Sequence, residues 1–249
     1  MAQGLKITSS PERIALLYCS VFEDEIALYA ADADHIVARS KFDIGLHDRP
    51  DSMRAKLQAA VDECDAIDDI AAVVLVYGLC GRGTAGLRAG RHKLVITRAH
   101  DCMTLFMGSK ERYAAKQAAC PNCYFYTPGW NRARRVPGPE RLAALREELA
   151  QRFDADEVDY LVETERAAWA AHGHAVYLEL GTADAAKEAD YARRCADGLG
   201  WTFEHMAGDP TLLRDLLWGR WDDARYQTIE PSQSLLHSVN TGIFKSGKP

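Results

Sequence analysis

The sequence predicts an α/β protein with a mainly parallel sheet and helices on both of its faces. Short apolar runs rich in Val, Ile and Leu, above all Ala71 to Tyr77 and Lys93 to Arg98, have the composition of strands buried on both faces of a sheet. Strand patterns alternate with helix patterns in both halves of the chain, which implies parallel strands joined by right-handed crossovers. Each central run also breaks into polar chemistry at its carboxyl end: Gly78-Leu79-Cys80-Gly81 after the first, His100-Asp101-Cys102 after the second. Open α/β sheets bind ligands outside the carboxyl ends of their strands, so both endings point to one crevice.

In chain order, Ile14 to Val21 is expected to be a strand ending at Cys19, with Glu23, Asp24 and Glu25 as the start of a helix. His35 to Phe42 alternates as a strand does. The loop that follows carries His47 into Pro50, a residue suited to a first helical turn. Met53, Leu57, Ala60, Val61 and Cys64 recur at helical spacing, which makes Cys64 a core residue. Beyond the central strands, Cys120 and Cys123 have C-x-x-C spacing ahead of aromatics and Pro128-Gly129, read as a turn. A local structural pair, half of a metal site and a redox pair all fit that spacing.

Arg132 to Pro139 reads as a solvated basic linker. It is the expected boundary between residues 1–131, an α/β lobe carrying the site, and residues 132–249. The second section either extends the first sheet or forms a lobe of its own. In it, Leu142, Leu145, Leu149 and Phe153 mark one helix, and Val158, Leu161, Val162 and Trp169 another. Ala175 to Leu180 reads as a strand, and Asp184 to Leu199 as an Ala-rich helix closed by Gly198 and Gly200. Trp201 to Met206 is a further strand, Asp209 to Trp218 a helix stopped by Gly219, and Tyr226 to Ile229 an edge strand.

The 249 residues are 47% hydrophobic, enough for a substantial core, so disorder is excluded. The net charge is −6 and no Lys/Arg cluster interleaves with aromatics, which argues against nucleic acid or an anionic membrane as partner and leaves a small molecule or a protein. The stretch MAQGLKITSSPER lacks an apolar core, and no apolar run approaches bilayer length, so a cytoplasmic protein is expected. Seven cysteines, an odd number, point to thiols and metal ligands in place of a disulfide framework.

Gly81-Arg82-Gly83-Thr84-Ala85-Gly86 matches the G-x-G-x-x-G of dinucleotide loops. That fingerprint needs a crossover helix before the next strand, and residues 87–92 leave no room for one. A glycine-permitted tight turn remains, or a backbone nest at Gly81 and Gly83 that holds an anion with help from Arg82 or Arg98. For a metal, the candidates are Cys80, Cys102, His47, His100 and Cys19, a thiolate and imidazole set that suits zinc or iron over magnesium or calcium. His100 and Cys102 would face one side of an extended segment, and His47 enters from a separate loop. Neighbouring parallel strands would bring Cys80 and Cys102 onto one ion, with sulfurs roughly 3.5 to 4 Å apart. Asp101 or Glu23 is the expected proton acceptor, or the partner that orients the histidine.

The strings YGLCGRGTAGL, RAHDC, LFMGSKERY and YTPGW, with GLH upstream and GLGWTFEHMAGDPTLLRDLLWGRWDD near the C-terminus, resemble the family known as domain of unknown function 1638 over nearly the whole chain. The resemblance implies a gene often found beside those of corrinoid-dependent methyltransferases. It maps the family's motif positions onto His47, Cys80, His100, Asp101 and Cys102, with Arg98 and Trp130 near them. The expectation is therefore a metal-dependent enzyme of one-carbon or sulfur metabolism that moves a methyl or thiol group, with zinc on Cys80, Cys102 and His47 or His100. The alternatives are a non-catalytic accessory protein that binds a metal, a corrinoid or a methyltransferase partner, and a redox protein using Cys120 and Cys123.

Overall fold

The computed structural model describes residues 11–240 and 242–248, so most of the N-terminal stretch read above for targeting lies outside the described residues. The chain opens with β1 (Ile14–Cys19), α1 (Glu23–Tyr29) and β2 (Ile36–Phe42). α2 (Pro50–Cys64), β3 (Ala72–Val76) and β4 (Lys93–Thr97) follow. Next come α3 (Cys102–Met107), α4 (Lys110–Ala119), β5 (Cys123–Tyr126) and α5 (Pro128–Arg132). α6 (Pro139–Leu149), α7 (Ala155–Ala168), β6 (His174–Glu179), α8 (Ala185–Leu199) and β7 (Thr202–Ala207) continue the alternation. α9 (Thr211–Leu217), β8 (Tyr226–Ile229), β9 (Ser234–His237) and β10 (Phe244–Gly247) close it. The fold class is α/β, with a mostly parallel central sheet.

The chain forms two compact units from interleaved segments: Met1–Cys19, Tyr29–Asp101 and Leu213–Pro249 make the first, Ser20–Leu28 and Cys102–Leu212 the second. The division therefore falls elsewhere than Arg132–Pro139, which lies inside the second unit. The basic run misleads because its apolar residues are core: Val136 is fully buried, and the Tyr126 hydroxyl donates to the Pro137 carbonyl at 2.8 Å.

In the first unit the sheet order is β2-β1-β3-β4-β8, with β1, β2, β3 and β4 mutually parallel and β8 antiparallel at the edge beside β4. Every residue of β3 is buried, as its unbroken apolar run requires. The stripe Met53, Leu57, Ala60, Val61 and Cys64 is the buried face of α2. Each fully buried Leu or Val side chain there contributes roughly 1.5 to 3 kcal/mol. The antiparallel β9–β10 hairpin, which the sequence reading missed, attaches to the loop after β3: the Gly86 N–H donates to the Leu235 carbonyl at 2.7 Å and the Leu235 N–H to the Leu87 carbonyl at 2.8 Å.

The second unit has its own three-stranded parallel sheet, β5-β6-β7. Its core sets Tyr126, Tyr177 and Tyr191 against Ala175, Ala189, Ala192 and Ala196. Small residues on α8 leave room for large rings, which close packing demands. Pro128-Gly129 is the first turn of α5 and not a loop turn, because Thr127 caps it by accepting from the Trp130 N–H at 3.3 Å. Among the described residues no helix is long and apolar enough to cross a membrane.

Candidate functional site

The strand order of the first unit reverses between β1 and β3: from β1 the chain goes out to β2, and from β3 it goes the other way to β4. That reversal is the topological switch point where open α/β sheets bind ligands. Cys19 is the last residue of β1, and Cys80 lies four residues beyond the end of β3.

His47 reaches the same edge from β2. Phe42, the end of β2, pairs with Cys19 in register, and the chain then winds into a short 3-10 turn, Ile44–Asp48. Asp43 fixes that turn by accepting from the Gly45 N–H at 2.7 Å. The turn carries His47 back over β1, with its Nε2 3.8 Å from the Cys19 sulfur, within reach of a weak sulfur hydrogen bond.

The loop bearing Cys80 is held by backbone. Leu79 N–H donates to Ala99 O at 2.8 Å and Cys80 N–H to His100 O at 2.9 Å, so residues after β3 and β4 stay paired beyond the strands. Gly78 is needed for this approach: a Cβ there would stand 2.8 Å from Ala99 O and 2.9 Å from Asp101 N. Cys80, Gly81 and Arg82 then take φ values of +46°, +63° and +70° in succession. Left-handed backbone at two side-chain-bearing residues costs roughly 1 kcal/mol each, and such strain clusters at functional sites.

Electrostatics tie these groups together. Burial pushes the Cys80 thiol up to about 12, and Cys19 and Asp101 push it further the same way against a backbone hydrogen bond at Gly78. Without a nearby cation Cys80 is a neutral thiol. Tyr77, at the end of the β3 run, is 2% exposed and its hydroxyl has no hydrogen-bond partner among the described residues. Burial, then Cys19, Cys80 and Asp43, push its ionisation far above the usual phenol range. A buried hydroxyl without a partner, in electrostatic range of two thiols, has hydrogen-bonding capacity that a bound molecule would satisfy.

The remaining expectations divide. Asp101 is half-buried and shares the Cys80 environment, whereas His100 is exposed and contributes its carbonyl. The segment after Thr97 bends before α3 begins at Cys102, so His100 and Cys102 do not share an extended strand. Cys102 is buried, opens the second unit, and lies in electrostatic range of the Tyr124 hydroxyl. Glu23 is exposed at the start of α1, and Glu25 is the buried acid of that helix at 0% exposure. Val21, Phe22, Glu25 and Ile26 recur at helical spacing, a signal that could have placed Glu25 inward.

The anion nest loses two of its parts. Gly83 N–H donates to Cys80 O at 3.1 Å. Arg98 is committed to backbone: its Nε donates to Asp223 O and Tyr226 O at 2.9 and 3.1 Å, and one terminal nitrogen to Gly242 O and Phe244 O at 2.8 and 2.9 Å. Arg98 is the clamp of the C-terminal segment. Gly81 and Arg82 stay exposed at the tip of the loop.

For zinc, a sulfur and a nitrogen ligand on one tetrahedral ion lie about 3.5 Å apart, and Cys19 and His47 at 3.8 Å stand near that value. The third arm is not in place: among the described residues no group of three or more His, Cys, Asp or Glu side chains is arranged to hold a metal ion. The donor set fits two arms of a metal site and not a complete one.

No curated protein and no solved structure matches the chain. A family model, described as Protein of unknown function (DUF1638), matches residues 42–217, a span that includes His47, Cys80, Asp101 and Cys102 and leaves Cys19 outside. That match covers more than half of the chain, and the protein belongs to the DUF1638 family.

Proposed function

We propose that the protein is an enzyme of one-carbon or sulfur metabolism that transfers a methyl or thiol group of a small molecule at the β1/β3 switch point, with Cys19 as its reactive thiol. The observation that carries this reading is the approach of Cys19 and His47 beside the orphaned Tyr77 hydroxyl. His47 Nε2 takes the Cys19 proton, which leaves a thiolate beside an imidazolium. The thiolate attacks the electrophilic carbon or sulfur of the substrate, and the departing group takes the proton back from His47. Tyr77 donates its hydroxyl to the substrate or to the thiolate. Cys80, held neutral by burial, packs beside them as a second thiol.

The test is the reaction of the native protein with methyl methanethiosulfonate, read on the peptide Ile14–Arg39, which contains Cys19 and no other cysteine. Cys19 should label before the core thiol Cys64, and His47→Ala should slow it by tenfold or more at neutral pH. Labelling of Cys19 no faster than Cys64 would sink the proposal.

The metal-dependent form, with zinc or iron on Cys80, Cys102, His47 or His100, requires a third donor to close on the Cys19–His47 pair. Near-stoichiometric metal in protein purified without chelator, lost in Cys80→Ser and Cys102→Ser alike, would establish it; metal-free protein with intact activity would remove it. An accessory protein that binds a corrinoid or a methyltransferase rests on the family resemblance alone. It would carry corrinoid absorbance through purification and consume no methyl donor.

A further inference from the structure

Cys120 and Cys123 lie in the second unit, far in sequence from Cys19, His47, Tyr77 and Cys80. Cys120 ends α4 and Cys123 begins β5. The Cys123 N–H donates to the Cys120 carbonyl at 3.2 Å, which closes a tight turn around Pro121-Asn122. The first and last residues of such a four-residue turn have Cα atoms within about 7 Å. A disulfide spans roughly 4.4 to 6.8 Å between Cα atoms, so the backbone already holds the pair near bridging distance. The Cys120 thiol donates to Asn122 Oδ1 at 3.6 Å, and the Cys120 sulfur acts electrostatically on Cys123. Both are half-exposed, whereas Cys19, Cys64, Cys80, Cys102 and Cys195 are buried.

The polar neighbours do not complete a metal site. His174, the register partner of Cys123, places Nε2 3.0 Å from Glu204 and its other ring nitrogen on Thr202. Lys116 holds both Glu204 oxygens at 2.7 Å. Histidine, lysine and glutamate satisfy one another and leave the thiols as a pair.

We propose that Cys120 and Cys123 are a dithiol site that exchanges with small-molecule disulfides of the glutathione class and closes to an intramolecular disulfide. Cys120 attacks one sulfur of the small disulfide and releases one thiol, forming a mixed disulfide. Cys123 then attacks the Cys120 sulfur and releases the second thiol. The protein gives up two electrons and two protons, and both leave on the two small thiols. Cys120 caps the C-terminal end of α4 outside any strand, whereas Cys123 is fixed in β5 opposite His174, so Cys120 is the point of entry and Cys123 the resolving thiol; burial, and then the neighbouring Cys120, also push the Cys123 thiol up to about 11.

Trypsin releases Gln117–Arg132, which carries these two cysteines and no other. After incubation of the full chain with oxidised glutathione and blocking of free thiols with N-ethylmaleimide, that peptide should be about 2 Da lighter than its dithiol form and unlabelled. Cys123→Ser should trap one glutathione on Cys120, at least tenfold faster than Cys120→Ser traps it on Cys123. Recovery of the peptide with two maleimides or two glutathiones would overturn the proposal, and so would equal trapping in the two variants.

Discussion

The two sheets present different chemistry at their carboxyl ends. In the first unit those ends carry sulfur: Cys19 closes β1 with His47 beside it, and Cys80 follows β3, both thiols in electrostatic range of the Tyr77 hydroxyl. In the second unit they carry Thr127 after β5 and Glu179 at the end of β6, with Glu25 of α1 in electrostatic contact with Glu179. The contrast follows from topology. A strand order that reverses, as β2-β1-β3 does, sends the connecting chain to opposite sides at the reversal, and here cysteines stand at or just after the strand ends on either side of it. The sequential order β5-β6-β7 has no reversal, and its edge is packed by the chain itself. Gly129 is so close to the backbone of Val21 that a Cβ would meet its carbonyl oxygen at 2.1 Å.

The largest expected effect tests the second edge. Glu25 is fully buried, its carboxyl oxygens have no geometric hydrogen-bond partner among the described residues, and burial first, then Asp24 and Glu179, push it up to about 8 against its own backbone amide and the opposing Arg132. A carboxyl raised in the folded state keeps its full stability below its ordinary value of 4.5 and loses it as pH rises through about 8. The slope approaches roughly 1.4 kcal/mol per pH unit in that window. Urea unfolding from pH 5 to 9 should show this loss in the native chain, and Glu25→Gln should flatten it. An unchanged slope in the variant would mean that the acid is paired or wet.

Arg98→Ala separates the clamp from an anion site. Removing a guanidinium that serves four carbonyls should cost on the order of 3 kcal/mol in chemical denaturation, with the β9–β10 hairpin exchanging its amide protons fastest. A loss of anion binding without a loss of stability would restore the nest.

Gly78→Ala should cost about 2 kcal/mol by forcing residues 99–101 away, and it should also change Cys19 and Cys80 labelling. Gly81→Ala meets no atom within 4 Å and strains only φ, so about 1 kcal/mol is expected and labelling should stay as it was. Equal effects of the two glycines would break the claim that the first edge is shaped by close backbone approach.

Much of this was legible in the residues. The unbroken Val/Leu/Ile run of β3, the 3.6-residue stripe of α2 and the edge position of Tyr226–Ile229 each follow from a local pattern with one physical meaning. Cysteines at strand ends were equally readable. The hairpin at Ser234–His237 was not, since four-residue strands carry little periodicity and pair here with a loop. Arg132–Pro139 misled for a related reason: charge suggests solvent, but Arg134 lays its guanidinium over the Tyr191 ring, 4.0 Å from the ring centroid, while Val136 goes inward.

The sequence alone determined the strands and helices of the central sheet, that thiols end up at or just beyond strand termini, and that the G-x-G-x-x-G string is not followed by the crossover helix of a dinucleotide site. Those conclusions need only side-chain periodicity and the length of chain between elements. Tertiary structure decided which thiol meets which histidine: register beside β2 brings His47 to Cys19, and the bend after Thr97 turns His100 outward and starts a helix at Cys102. It also decided that Glu25, two residues from the carboxylate expected to act, is the one withdrawn from water. Partnership of this kind depends on strand order and on a few degrees of backbone rotation. No local pattern encodes either, because both are fixed only when distant segments pack.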